Sequence, residues 1–172
     1  DDQLGISCIA GVPVARFSGL SIRLVRAMPL SCAEFGAGAV PVYPPNAEVS
    51  ELFGRLGSAI TLETEEQFEL ATIAACYNGW LLDLFATVSD WLEQQGMAPE
   101  KARELTLNAS AGAAALGVGR AEQSLRELSA GVATPHTLTR LGLDHLNGRE
   151  AFKPWAEACE LLRQQLNTRD GG

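Results

Sequence analysis

The sequence predicts an α+β chain in which helices dominate. Up to about Leu62 the residues fall into short β-like runs broken by Gly and Pro. From Thr64 onward, apolar residues recur at helical spacing. With 172 residues, 47% of them hydrophobic and 20% charged, the chain can bury a core, which excludes a disordered tail or linker.

Taken in order, the first strand is expected at residues 6–10, closed by Gly11, and the second at 22–27, closed by Met28-Pro29. A third run at 39–43 stops at Pro44-Pro45. Asn46 has the chemistry of an N-cap for a short helix at 47–56, which Gly57 ends. A short strand follows at 59–62. Strands alternating with short helical pieces fit part of an α/β layer. Thr64-Glu65-Glu66-Gln67 fits a capping box with acidic residues on the positive end of the helix dipole. The helical pattern then runs to Gln95. Leu81, Leu84, Phe85, Val88, Trp91 and Leu92 form one stripe, with Asp83, Thr87, Asp90 and Gln94 opposite. Asn78-Gly79 is expected to break or kink it.

Gly96 ends that helix, and Pro99 suits the first turn of the next. Residues 100–116 are rich in Ala and Gly, so a neighbouring helix axis can approach closely. A short helix is expected at 121–128 and a turn at 129–136. Two more helices, 137–146 and 152–166, close the chain. The bare Ala/Gly helix and the long stripe offer more apolar surface than a small bundle can bury alone, which predicts a homodimer or a higher oligomer. There is no tandem repeat or low-complexity tract.

Thirteen Lys+Arg against 21 Asp+Glu give a net charge of −8 with no basic cluster, so nucleic acid is not an expected partner. No apolar run approaches the ~20 residues of a membrane span, so no membrane association is expected. The opening Asp1-Asp2-Gln3 has no basic start of a secretory leader. A strand-like run beginning at position 6 points to a larger protein from which an N-terminal part is missing. Cysteines 8, 32, 76 and 159 form no C-x-x-C pair, and His136 and His145 are nine residues apart, so no metal is expected. The thiols are expected buried or half-buried in a reducing cytoplasm.

Gly36-Ala37-Gly38-Ala39-Val40-Pro41 starts like a dinucleotide fingerprint but lacks its third glycine, and Pro44-Pro45 blocks the helix that should follow. No serine sits in a G-x-S-x-G elbow. Glu63, Glu65, Glu66 and Glu69 are expected to be simply an acidic first turn. The most informative stretch is Val132-Ala133-Thr134-Pro135-His136-Thr137-Leu138-Thr139, a Thr/Pro loop leading into a helix start. Unpaired backbone N–H groups at such a start bind carboxylates, and the hydroxyls of Thr134, Thr137 and Thr139 can reach a polar ligand atom. The plainer alternative is one N-capping threonine beside a solvated His136.

Several ordered blocks resemble the pyrroline-5-carboxylate reductase family. Residues 6–11 with Val12-Pro13-Val14-Ala15 resemble its late Rossmann strand and following turn. Arg26-Ala27-Met28-Pro29, then Ser31, Ala33, Gly36 and Gly38, is similar to its R-x-M-P-N-T-P-A-x-x-G-x-G segment. The stretch from Val132 to Thr139, with Leu146 beyond, resembles its V-T-S-P-G-G-T-T-I loop and helix. Gly96-Met97 with Glu100 and Ala102 matches its turn between long helices. The resemblance covers nearly the whole chain.

It implies a two-part enzyme of proline biosynthesis: a Rossmann domain for NADPH or NADH, and a helical dimerisation domain like the C-terminal domain of 6-phosphogluconate dehydrogenase. Residues 1–62 would be the last strands of the Rossmann-type sheet, and 63–172 the helical dimerisation and substrate domain. Met28, Pro29, Leu30 and Ser31 would lie against the cofactor. Val132, Thr134, His136, Thr137, Leu138 and Thr139 would line the substrate site. Loop N–H groups, Leu138's included, would bind the carboxylate, and Thr139 would hydrogen-bond the ring nitrogen as the catalytic residue. His136 would be placed to assist protonation.

The departures are specific. Leu30 stands for Asn, Cys32 for Pro, and Ala74-Ala75-Cys76-Tyr77-Asn78-Gly79-Trp80 for S-G-S-G-P-A-Y. His136 and Thr137 replace two glycines. The resemblance therefore implies an NAD(P)H-dependent reductase of a cyclic imine carboxylate. The alternative is a non-catalytic relative kept as a dimerisation or interaction module. An unrelated all-α binding module would leave the ordered blocks unaccounted for.

Overall fold

A computed structural model of the chain describes residues 3–169. Four strands, β1 (Leu4–Ser7), β2 (Arg23–Ala27), β3 (Ala39–Tyr43) and β4 (Ser58–Thr61), form one sheet in the order β1-β2-β3-β4. β1 and β2 are parallel, β2 and β3 antiparallel, and β3 and β4 parallel. Short 3-10 turns at Val14–Phe17 and Ser31–Phe35 follow β1 and β2. Six helices complete the chain: α1 (Ala47–Phe53), α2 (Glu65–Gln94), α3 (Pro99–Gly119), α4 (Leu125–Val132), α5 (Leu138–Gly148) and α6 (Lys153–Arg169). A small sheet followed by a helical region is the predicted fold class.

The described residues divide into two units. The first runs up to Tyr77 and takes up the chain again at Cys159; the second is Asn78–Ala158. In the first, Val25, Ala27, Val40, Val42, Val49 and Phe53 pack into one buried cluster between sheet and α1. Full burial of the valine and phenylalanine side chains contributes about 1.5–3 kcal/mol each. The Asn46 side chain accepts a hydrogen bond from the Val49 N–H at 3.0 Å, so α1 starts as its capping residue dictates. It ends at Phe53, short of the expected 56, because Gly54 takes the C-cap.

At the start of α2 the Thr64 hydroxyl accepts from the Gln67 N–H, while the Gln67 side chain accepts from Glu63 rather than Thr64. The box therefore closes one residue early. The expected break at Asn78-Gly79 does not occur, and α2 is a single helix of 30 residues. A lone helical glycine costs about 1 kcal/mol, which intact turns on both sides outweigh. α2 is also long and apolar enough to cross a bilayer by length and composition, with little of it buried within the chain.

The second unit buries little. Ala102, Thr106, Leu128 and Ala133 are its buried residues, while Leu84, Val88 and Trp91 of the predicted stripe stay exposed. The expected short helix at 121–128 lies further on. Ser124 and Glu127 form a reciprocal capping box, so α4 starts at Leu125 and takes up residues 129–132 of the expected turn. Cys8, Cys76 and Cys159 are exposed and only Cys32 is half-buried, against the expectation of buried thiols. Cys76 and Cys159 lie on helix faces that the chain's own packing does not cover.

Candidate functional site

The loop between α4 and α5 is built by its threonines. Ala133 is buried and its N–H donates to the Ser129 carbonyl, ending α4. The chain then turns through Thr134, Pro135 and His136. His136 sits at φ 66°, the left-handed region that glycine adopts freely and a side chain does not. That is one of the two positions where the resembled motif has glycine. The bend thus keeps a glycine-type conformation while carrying an imidazole, which is exposed.

Thr137 is the N-cap of α5. Its Oγ1 accepts from the Arg140 N–H at 3.2 Å and donates to the Thr134 carbonyl at 2.7 Å. Its hydroxyl proton is therefore spent inside the bend, and the plainer alternative of one capping threonine holds for this residue. The N–H groups of Leu138 and Thr139, in the first turn of α5, have no acceptor among the described residues. Leu138 is 87% exposed.

Thr139 lines a cavity of about 300 Å³ in the second unit, with Leu116, Leu125, Leu128, Val132 and Leu143 among its walls. Those walls are mostly apolar, and the Ser129 and Thr139 side chains are its polar groups. Of the predicted substrate residues, Val132 and Thr139 share this cavity. Thr134, His136 and Leu138 stand exposed at the bend beside it. An apolar hollow next to free N–H groups suits a small molecule with a hydrocarbon body and an anionic end.

Met28, Pro29, Leu30 and Ser31 lie in the first unit. They leave the carboxyl end of β2, beside the carboxyl end of the parallel strand β1. Ligands of α/β sheets bind outside such strand ends, so the position fits an edge of a nicotinamide cofactor. Met28 is buried, its N–H donating to the Pro41 carbonyl at 3.1 Å. Leu30 is half-buried and Ser31 exposed. The described residues contain no group of three His, Cys, Asp or Glu able to hold a metal.

One cluster escaped sequence reasoning. Arg26 is fully buried, and its Nη1 donates to Glu65 Oε1 at 2.8 Å and to Glu69 Oε1. Glu65 Oε1 also accepts from the Val14 N–H at 2.8 Å. The Phe68 ring lies 4.2 Å from the guanidinium carbon. Glu65 and Glu69 are thus more than an acidic first turn. The signal was present: a lone Arg inside the apolar run Leu24–Ala27 needs a buried counter-charge, and two Glu at i, i+4 present one face.

Residues 65–166 match the family described as pyrroline-5-carboxylate reductase dimerisation. A pyrroline-5-carboxylate reductase of Pseudomonas aeruginosa is 30% identical over 165 residues, covering 88% of this chain and 60% of the relative. The chain thus spans about three-fifths of that curated relative's length. Among solved structures, a pyrroline-5-carboxylate reductase from Coxiella burnetii superposes with a TM-score of 0.83 at 22% identity, over 96% of this chain and 65% of that one. The Plasmodium falciparum pyrroline carboxylate reductase with NADP bound gives 0.80 at 18% identity, over 95% and 66%. At these identities the structures show the fold.

Proposed function

The chain belongs to the pyrroline-5-carboxylate reductase family, and from that premise we propose that it is the substrate-holding and pairing part of an NAD(P)H-dependent reductase of a cyclic imine carboxylate. The observation that carries this reading is Thr139, at the open first turn of α5 and in the wall of an apolar cavity of about 300 Å³. The free N–H groups of Leu138 and Thr139 hold the carboxylate. The cavity walls hold the ring, and the Thr139 hydroxyl hydrogen-bonds the ring nitrogen. The imine carbon accepts a hydride and the nitrogen a proton, so one NAD(P)H and one proton are consumed per amine formed. Thr139 acts as the catalytic residue by orienting the C=N bond and stabilising nitrogen as it takes up the proton. His136, exposed on the bend, is placed to relay that proton.

In this reading residues 1–62 complete a Rossmann-type sheet, and Met28, Pro29, Leu30 and Ser31 border the nicotinamide. Most of the NADPH or NADH site lies in sequence outside this chain, in keeping with the 60% coverage of the relative. Residues 63–172 pair with a second copy. The exposed Leu84, Val88 and Trp91 and the sparse core of the second unit support a homodimer, and the family matched at 65–166 is a dimerisation family. The enzyme is proposed to work in the cytoplasm.

The test is NAD(P)H consumption by the full-length protein with pyrroline-5-carboxylate, or proline oxidation in the reverse direction. Turnover that falls at least ~100-fold in Thr139→Val supports the assignment. Leu30 in place of Asn and His136 in place of Gly favour one second reading, a non-catalytic pairing module. A full-length protein that dimerises but binds neither cofactor nor imine establishes that reading and overturns the first.

A further inference from the structure

Arg26 is a charge in a strand that otherwise buries Val25 and Ala27. Burying it is costly unless it is paired. The pairing comes from one face of α2. Glu65, Phe68, Glu69 and Thr72 stand at helical i, i+3, i+4 and i+7. Glu65 and Glu69 take the guanidinium and Phe68 lies beneath it. Thr72 Oγ1 lies 3.7 Å from the sulfur of Met28, two residues further along the chain. Glu65 Oε1 also binds the Val14 N–H, in the turn that follows β1. One helix face therefore holds the segments leaving both parallel strands at their carboxyl ends. Nε and Nη2 of Arg26 have no acceptor among the described residues, so both carboxylates act on the single Nη1.

We infer that Arg26, clamped by Glu65 and Glu69, is a positioning residue that fixes the Met28–Ser31 segment against the nicotinamide cofactor. The inference rests on the reductase reading for the presence of that cofactor, and adds how its contact segment is held. The clamp acts through geometry. It sets where β2 ends, and the residues after β2 follow from that end.

The experiment measures NADPH binding to the full-length protein by nicotinamide fluorescence, with imine KM and thermal unfolding on the same samples. The variants are Arg26→Lys, Glu69→Gln and Thr72→Val. Arg26→Lys keeps the charge but loses the guanidinium's reach. The other two loosen the clamp from the helix side and report even if Arg26→Lys does not fold. The expected result is an NADPH Kd raised about tenfold in Glu69→Gln, less in Thr72→Val, with the imine KM within about twofold of wild type. Equal loss of NADPH affinity and imine KM, in step with a lower unfolding midpoint, overturns the inference in favour of a purely structural salt bridge. Unchanged NADPH affinity in folded variants also overturns it while the reductase reading stands. Wild-type protein that binds neither NADPH nor NADH overturns both.

Discussion

Thr137 Oγ1 donates to the Thr134 carbonyl at 2.7 Å and accepts from the Arg140 N–H, so one hydroxyl reinforces the bend that the Thr137 N–H closes on the same carbonyl and starts the helix. Replacing it with the near-isosteric valine in Thr137→Val removes both bonds and leaves the first turn of α5 open. The expected loss is about 1 kcal/mol of stability, read from the urea midpoint at fixed protein concentration. A midpoint equal to wild type would show that the bend is held elsewhere.

His136 holds a left-handed conformation that costs an L-residue roughly 1–2 kcal/mol. Glycine relieves that strain but frees the unfolded chain, so His136→Gly is expected to stabilise by up to about 1 kcal/mol, whereas His136→Val destabilises. Denaturant unfolding of the pair checks the sign. If His136 relays the proton, the glycine variant also loses turnover while gaining stability, a combination that strain alone does not produce.

Trp91 and Val88 stay largely exposed on α2, at 58% and 44%. If a second copy covers them, Trp91→Ala weakens the dimer by at least about 2 kcal/mol, roughly 30-fold in Kd. Light scattering across a dilution series measures this. Wild-type protein that is monomeric at micromolar concentration would refute the pairing. Recovery on floated lipid vesicles would assign the face to a bilayer instead.

Hydrogen bonds from Arg163 and Gln164 hold the Glu160 carboxyl at about 2, below its ordinary 4.5. A depressed carboxylate favours the folded state above its unfolded value and loses that favour as pH falls towards the folded one. The α6 turn at Glu160 is therefore expected to loosen between pH 4.5 and about 2. A carbon-detected NMR titration of Glu160 checks this, and Arg163→Ala should raise the carboxyl towards the ordinary range.

What the sequence disclosed and what it hid follow from the reach of the interactions. Asn46, Ser124 and Thr137 act within three or four residues, and Ser124-x-x-Glu127 announces its helix as plainly as Asn46 does. α4 starts beyond the expected 121 because the Ser124 capping box, and not the helix propensity of Ala121, sets where it begins. The break expected at Asn78-Gly79 is absent for the opposite reason, since a local cost yields to a long helix. The tie from Arg26 to Glu65 and Glu69 spans about forty residues of chain, and no periodicity encodes its geometry. Thr139 was named from the resemblance. That it shares a hollow with Leu116 and Leu125 depends on how three helices meet.

Among the described residues β1 is hydrogen-bonded on one side only, to β2, and Ile6 is partly open to solvent. A strand with one bare flank is a template on which any extended peptide can stack. Produced by itself, this polypeptide should stick to its own kind in fibrous or amorphous clumps. Capping that flank by a further strand supplied in cis should keep it dispersed.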